Sequence, residues 1–185
     1  TSGVGKSALL RVIANIWPCY LSRSEQDEEY CNRPLTLPPA SHLLFLCQKP
    51  YIGDLTLRQY LQTPLLAGQR PLRELSSDAF VVRYFREVGL STRFRDYLDS
   101  KNMQWDQTWS LGQIQKLQFV RILIHIDFLQ MADAGHYNQN AHHNSPDIIC
   151  LLDEATSSLD PLSEKQCYEA LQARNIGYLG VAHRE

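Results

Sequence analysis

One apolar stretch followed by two carboxylates constrains the fold of this chain more than any other part of its sequence. Residues 148–152, Ile-Ile-Cys-Leu-Leu, are apolar without interruption, and Asp153 and Glu154 follow directly. Such a short run is typical of a strand that is buried on both faces of a parallel sheet. Open α/β sheets bind ligands outside the carboxyl ends of their strands. We therefore expect both acidic side chains at a ligand site, although they could also serve only the following turn.

The beginning of the chain has the pattern of a phosphate-binding loop. Residues 1–7, Thr-Ser-Gly-Val-Gly-Lys-Ser, match G-x-x-x-x-G-K-[ST] except for the first glycine. We therefore expect the chain to be an N-terminally truncated fragment. A helix is predicted from Ala8 to Trp17, and its N-terminus would face a bound phosphate. The nucleotide-binding residues predicted from this pattern are Ser2, Gly3, Val4, Gly5, Lys6, Ser7 and Ala8.

Length and composition indicate one globular domain. The 185 residues carry a net charge of −2, so no basic surface suggests a nucleic-acid partner. No stretch approaches 18 consecutive apolar residues, and no transmembrane helix is expected within the chain. The five cysteines form no C-x-x-C pair, which favours reduced, buried thiols over a disulfide framework.

Two further strands are predicted, each followed by a polar residue. The apolar run 43–47 ends at Gln48, and the run 178–182 ends at His183. A glutamine or histidine in such a place is usually a turn or surface residue. Here both lie in sequence order with the phosphate-loop and Asp-Glu motifs, which favours a role at the nucleotide.

Helical periodicity characterises the middle of the chain. Within 53–99, residues 57–61 and 78–88 carry apolar side chains at spacings of three and four, and no strand pattern interrupts them. Residues 109–121 predict another helix, with Ser110 as its N-cap and an apolar face behind it.

Together, these motifs resemble those of ATP-binding cassette (ABC) proteins, in the family's order. Residues 152–160, Leu-Asp-Glu-Ala-Thr-Ser-Ser-Leu-Asp, resemble the second nucleotide motif and the D-loop. Gln48 resembles the Q-loop glutamine, residues 109–113 occupy the signature position, and His183 resembles the switch histidine. The resemblance covers nearly the whole chain.

Within the family, three segments are most similar to the D subfamily of peroxisomal and lysosomal half-transporters. They are residues 48–51, 57–59 and the tryptophan-rich run 105–109. The tryptophan-rich run is most similar to that of the lysosomal, cobalamin-type member.

The resemblance implies an α/β fold, namely a P-loop NTPase with a mainly parallel sheet (the RecA-like core) and an inserted helical subdomain. The chain, 1–185, would be a partial nucleotide-binding domain. Its RecA-like core would comprise 1–52 and 147–185, and its helical subdomain 53–125. The segment 126–146 is a polar insert that we expect to form a mobile surface loop.

The resemblance also implies a role for each site residue in a dimer that encloses two ATP molecules. Glu154 would polarise the attacking water, with Gln48 and His183 orienting it. Ser7, Gln48 and Asp153 would hold Mg²⁺. From the other subunit, the signature residues would contact the γ-phosphate in trans, and the D-loop would cross the dimer interface. The signature residues are Ser110, Gly112 and Gln113, and the D-loop residues are Ser158 and Asp160.

One residue departs from the family pattern. Leu111 stands where the signature has its first glycine, and a side chain there would obstruct close approach of the backbone to a phosphate. We expect a weaker signature than a regular one. A second question concerns Tyr51, Ile52 and Leu55, which would belong either to the core or to the groove where the membrane domain docks.

The implied function is ATP binding and hydrolysis that drive transport, as the nucleotide-binding domain of a half-transporter for fatty acyl-CoA or cobalamin. Its partners would be a second nucleotide-binding domain and the transmembrane domain of the same parent chain. Its location would be the cytosolic face of a peroxisomal or lysosomal membrane. The alternatives are a soluble ABC ATPase that transports nothing, and a regulatory cassette that hydrolyses ATP poorly.

Overall fold

The strands of the described residues form one three-stranded parallel sheet. The computed structural model describes residues 5–14, 16, 43–63, 73–101, 103–134 and 148–182. Within these ranges the strands lie in the order β1-β2-β3, and both pairs are parallel. The strands are β1 (Leu43–Cys47), β2 (Ile149–Asp153) and β3 (Gly177–Val181). The chain is thus α/β with an open parallel sheet, which is compatible with the core of a P-loop NTPase.

Helices connect and cover these strands. Two short 3₁₀ helices, Arg73–Ser76 and Thr92–Tyr97, lie between the α-helices. Across the described part of the chain, no helix is long and apolar enough to span a membrane. The α-helices are α1 (Lys6–Ile13), α2 (Leu57–Gln62), α3 (Asp78–Glu87), α4 (Trp105–Thr108), α5 (Leu111–Ala134) and α6 (Pro161–Gln172).

The long helix α5 is the centre of the packing. It contacts β1 and the helices α2, α3, α4 and α6. Apolar residues are buried around most of its circumference, as expected for a helix enclosed by other elements. The fully buried ones are Leu117, Phe119, Val120, Leu123, Ile124 and Ile126.

The predicted polar insert requires a correction. A loop was expected over 126–146, but α5 continues to Ala134. Ile126 and Leu129 are buried, so the apolar face of the helix extends beyond the point where polar residues begin to dominate the sequence. The remainder of the insert lies outside the described residues.

Predicted and observed boundaries differ by small amounts elsewhere. The strand at 43–47 has the predicted ends, whereas β2 and β3 are displaced by one residue from 148–152 and 178–182. Helix α1 spans Lys6–Ile13, so it begins before the predicted Ala8 and ends before the predicted Trp17. At the start of α6, Pro161 follows the N-cap Asp160, and proline is favourable at the first position of a helix.

Candidate functional site

The carboxyl ends of β1 and β2 bring two predicted site residues together. Cys47 is paired with Asp153 in the register of the sheet, so the next residues, Gln48 and Glu154, are also neighbours. The side-chain Nε2 of Gln48 donates a hydrogen bond to Oε2 of Glu154 at 2.6 Å. The backbone N–H of Glu154 donates to the carbonyl of Val181, at the end of β3. All three strands thus contribute to the position of Glu154.

Glu154 has an unusual backbone conformation. Its φ is 52°, in the left-handed region that residues other than glycine rarely adopt. Such a conformation costs roughly 1–3 kcal/mol and persists only where the surrounding contacts enforce it. The bond to Val181, and a second one from Ser157 N–H to the Glu154 carbonyl, supply such contacts. The fold therefore holds this carboxylate at the sheet edge in spite of the local strain.

Asp153 joins the sheet to α1. It is 4% exposed, so its charge needs partners. The Ser7 hydroxyl donates to its Oδ1 at 2.5 Å, and the Arg11 guanidinium lies 3.2 Å from its Oδ2. The hydroxyl and carboxylate predicted to share a metal ion are thus in contact.

This oxygen pair fits Mg²⁺. Magnesium in nucleotide enzymes is held by one or two protein oxygens together with phosphates and water, and it needs no cage made only of protein ligands. Among the described residues no group of three or more His, Cys, Asp or Glu side chains could hold a metal ion. Ser7 and Asp153 provide two neighbouring oxygen atoms of this kind.

The N-terminus of α1 is suited to bind an anion. Gly5 precedes the helix with a φ of 80°, and no side chain caps its first amides. Lys6 is exposed beside them, and Ser7 and Ala8 follow in the first turn. Free amides at a helix N-terminus attract phosphate groups. The predicted residues Ser2, Gly3, Val4 and also His183 lie outside the described part of the chain.

The signature segment forms the start of α5. The Ser110 hydroxyl accepts a hydrogen bond from Gln113 N–H at 3.3 Å, and Gln113 Oε1 accepts one from Ser110 N–H at 2.9 Å. This reciprocal pair is a capping box, and it confirms Ser110 as the N-cap. Trp109 is buried, with its ring centroid 4.5 Å from those of Phe94 and Trp105.

The D-loop lies against this helix start. A Cβ added to Gly112 would lie 2.6 Å from the carbonyl oxygen of Ser158, closer than any real contact. Asp160 accepts hydrogen bonds from the backbone and hydroxyl of Ser163, and these bonds lower the pKa of Asp160. The structure therefore brings the signature and D-loop residues of one chain into contact.

Sequence reasoning missed two residues of this site. Arg11 follows Ser7 by four positions, so both face the same side of α1, and this spacing was an available signal. Gln115 is a polar residue within the buried face of α5, between Ile114 and Leu117. It contacts both the Q-loop and the D-loop.

The segment after Gln48 is divided between the core and the surface. Ile52 is 4% exposed and belongs to the core, whereas Tyr51 is 86% exposed. Leu55 is also exposed. Tyr51 and Ile52 line a surface groove of about 230 Å³, together with Gly53, Met103, Trp105 and Ile114.

Comparisons with known proteins agree with the motifs. An uncharacterized ABC transporter ATP-binding protein of Synechocystis is 31% identical over 99% of this chain, which covers 22% of that protein. The lysosomal cobalamin transporter ABCD4 of Mus musculus is 28% identical over 99% of the chain, covering 26% of that protein. The chloroplastic ABC transporter D family member 2 of Arabidopsis thaliana is 28% identical over 99%, covering 27%.

The chain thus spans about a quarter of the length of these relatives. No protein-family model matches it. The comparisons confirm the resemblance that the motifs predicted: over nearly its whole length, this chain is similar to ATP-binding proteins of ABC transporters, including members of the D subfamily.

Proposed function

We propose that this chain is a nucleotide-binding domain of an ABC transporter, which binds ATP with Mg²⁺ and hydrolyses it to drive transport. One observation carries the proposal. Ser7 and Asp153 are in contact, and Gln48 bonds Glu154 beside them, at the carboxyl ends of two neighbouring parallel strands. Phosphoryl transfer requires such positioned charges far more than covalent chemistry.

The phosphate groups would lie at the start of α1. Lys6 would contact the β and γ phosphates, and the amides after Gly5 would donate to phosphate oxygens. Ser7, Asp153 and Gln48 would supply oxygen ligands to Mg²⁺, which neutralises charge on the phosphates when it is bound. The contact between Ser7 and Asp153 supports this assignment, because it places both oxygens at one point.

Glu154 would accept the proton of the attacking water. Its hydrogen bond to Gln48 and its enforced backbone conformation fix the carboxylate in position, and a fixed general base is effective. His183 would orient the same water, as the family resemblance implies.

A second cassette would complete each site. Ser110, Gly112 and Gln113 would act on the nucleotide of the partner, and Ser158 and Asp160 would lie at the dimer interface. Residues 53–125, with α2 to α4 and the start of α5, would form the inserted helical subdomain. The groove beside Tyr51 would receive the membrane domain, because an exposed aromatic side chain there lies directly after the Q-loop.

The resemblance of the motifs to the D subfamily suggests a half-transporter for cobalamin or fatty acyl-CoA, on the cytosolic face of a lysosomal or peroxisomal membrane, and a lysosomal cobalamin transporter is among the relatives. One alternative rests on a specific residue. Leu111 in the signature favours a regulatory cassette that binds ATP and hydrolyses it slowly. Measured turnover separates the two functions.

The decisive experiment compares Glu154→Gln with the wild type in membranes that contain the full protein. We expect the variant to bind ATP but to lose turnover, because the general base is gone. Glu169→Gln is the control, since Glu169 forms only an exposed ion pair with Lys165. Substantial hydrolysis by Glu154→Gln would contradict the proposed base.

The transport claim needs its own test. The complete transcript should encode spans of about 20 apolar residues upstream of the phosphate loop. A second cassette or a polar coiled coil in their place would leave an ATPase that transports nothing.

A further inference from the structure

Gln115 is a fully buried amide that bonds two different loops. Its exposed fraction is 0%, and it lies in the second turn of α5. Its Nε2 donates to the backbone carbonyl of Gln48 at 2.9 Å and to the Ser157 hydroxyl at 3.2 Å. Its Oε1 accepts from Ser158 N–H at 3.0 Å. Both ends of the amide are therefore satisfied, as a buried polar group requires.

These partners connect three motifs of one chain. Gln48 belongs to the Q-loop after β1, and Ser157 and Ser158 belong to the D-loop after β2. Two of the three bonds go to backbone atoms, so Gln115 fixes where the loops lie whatever their side chains are. A side chain on the signature helix thus sets the distance between the Q-loop and the D-loop.

Gly112 provides a second, independent contact at the same place. Its Cα lies so close to the Ser158 carbonyl that a Cβ would be 2.6 Å from the oxygen. The carbonyl oxygen of Ser158 therefore lies against Gly112, and the N–H of Ser158 donates a hydrogen bond to Gln115, both on α5. A displacement of the helix start must displace the D-loop with it.

We propose that Gln115 is a positioning residue that couples the two nucleotide sites of the dimer. This inference rests on the function proposed above. The start of α5 would contact the nucleotide of the partner subunit, whereas Gln48 and Glu154 would act on the nucleotide bound by their own chain. Gln115 links these two regions, so ATP bound at one site would align the Q-loop and the D-loop at the other.

The test uses the assembled protein in membranes and the variant Gln115→Met, which keeps the length of the side chain but has no amide. We expect kcat to fall roughly ten- to hundred-fold, because small displacements of positioned groups cost that much. The Kd for a non-hydrolysable ATP analogue should change less than about two-fold, and the Hill coefficient for ATP should fall toward 1.

Gln115→Glu provides a pH-dependent rescue. The ionised carboxylate accepts hydrogen bonds but cannot donate to Gln48, whereas the protonated acid regains one O–H donor. Relative to wild type, its kcat should rise as the pH is lowered, since burial favours the neutral acid. Gln115→Met should show no such recovery.

Gln130→Met is the matched control. Gln130 lies near the other end of α5, and its side-chain amide donates a hydrogen bond to the backbone carbonyl of Arg174 instead of to the Q-loop or the D-loop. We expect wild-type kcat and Hill coefficient for it. Ser157→Ala removes one hydrogen-bond partner of Gln115 at an exposed position, so it tests the coupling without a change in the buried helix. It should lower kcat and the Hill coefficient moderately.

Three results would overturn the coupling. They are a wild-type Hill coefficient in Gln115→Met, equal losses of kcat and nucleotide affinity, and the same effect in Gln130→Met. A wild-type protein that hydrolyses no ATP would instead overturn the proposed function itself, and the coupling with it.

Discussion

The side-chain amide of Gln48 lies 2.6 Å from the carboxylate of Glu154, although 106 positions separate the two residues in the chain. The parallel pairing of β1 and β2 produces this contact, because both strands end at the same level of the sheet. An amide N–H that donates a hydrogen bond to a carboxylate restrains the rotation of that carboxylate.

The first prediction concerns this hydrogen bond. Gln48→Ala should lower kcat roughly ten- to hundred-fold, since a misplaced general base loses much of its contribution of about 10²–10⁴. ATP affinity without Mg²⁺ should stay nearly unchanged. Steady-state ATPase assays and nucleotide binding measure the two quantities, with the exposed Gln107→Ala as control. Loss of affinity without loss of kcat would refute the orienting role.

Leu111 provides the second prediction. It begins α5 directly after the N-cap Ser110, where a side chain would face the nucleotide of the partner subunit. Leu111→Gly should raise the ATPase activity of the dimer, because glycine permits closer approach of the helix amides to the γ-phosphate. An unchanged or lower rate would show that Leu111 does not weaken the signature.

A third prediction addresses stability. The Arg174 guanidinium, 12% exposed, lies 2.5 Å from both Glu87 and Asp127 and so joins the end of α6 to α3 and α5. Arg174→Met should lower the free energy of unfolding by about 2–4 kcal/mol, because Glu87 and Asp127, both partly buried, lose their ion pairs with Arg174, while Asp127 keeps its hydrogen bond from the Tyr84 hydroxyl.

Lys165→Met is the matched control for that measurement. Its ion pair with Glu169 is exposed, with 70% and 57% of the two side chains accessible, and we expect a change below about 1 kcal/mol. Denaturant titration of both variants would decide. Equal effects would mean that the Arg174 cluster contributes no more than a surface pair.

The fourth prediction is a pH dependence of stability. Burial lowers the pKa of His125 below its ordinary value of 6.5, and the nearby Arg121 lowers it further. The unfolded chain therefore binds a proton at His125 more readily than the folded chain does, so protonation of this residue favours unfolding. The resulting loss of stability is absent above about pH 6.5 and grows as the pH falls toward the lowered pKa.

The urea midpoint should therefore decrease between about pH 7 and pH 5. His125→Leu should show a smaller decrease, and its cost at neutral pH should be small because Nδ1 has no hydrogen-bond partner among the described residues. Parallel pH profiles for the two proteins would exclude His125 as the source.

The sequence by itself determined the elements that local chemistry specifies. The apolar runs before Gln48 and Asp153 predicted strands, and Ser110 was predicted as the N-cap of the helix that follows it. Polar content misled the prediction over 126–134, where the chain continues α5 and where Ile126 and Leu129 extend the buried face of this helix. Hydrophobic periodicity and helix capping involve residues that are close together in the chain, so both can be recognised from the sequence alone.

The tertiary structure alone decided which residues meet. The left-handed φ of Glu154 depends on a hydrogen bond to Val181. The tight environment of Gly112 depends on the Ser158 carbonyl. The side chain of Gln115 bonds loops that are more than 40 positions away in the chain. Each contact crosses between elements that are distant in the chain. The register of the parallel sheet and the packing of α5 create these contacts, and no local pattern contains them.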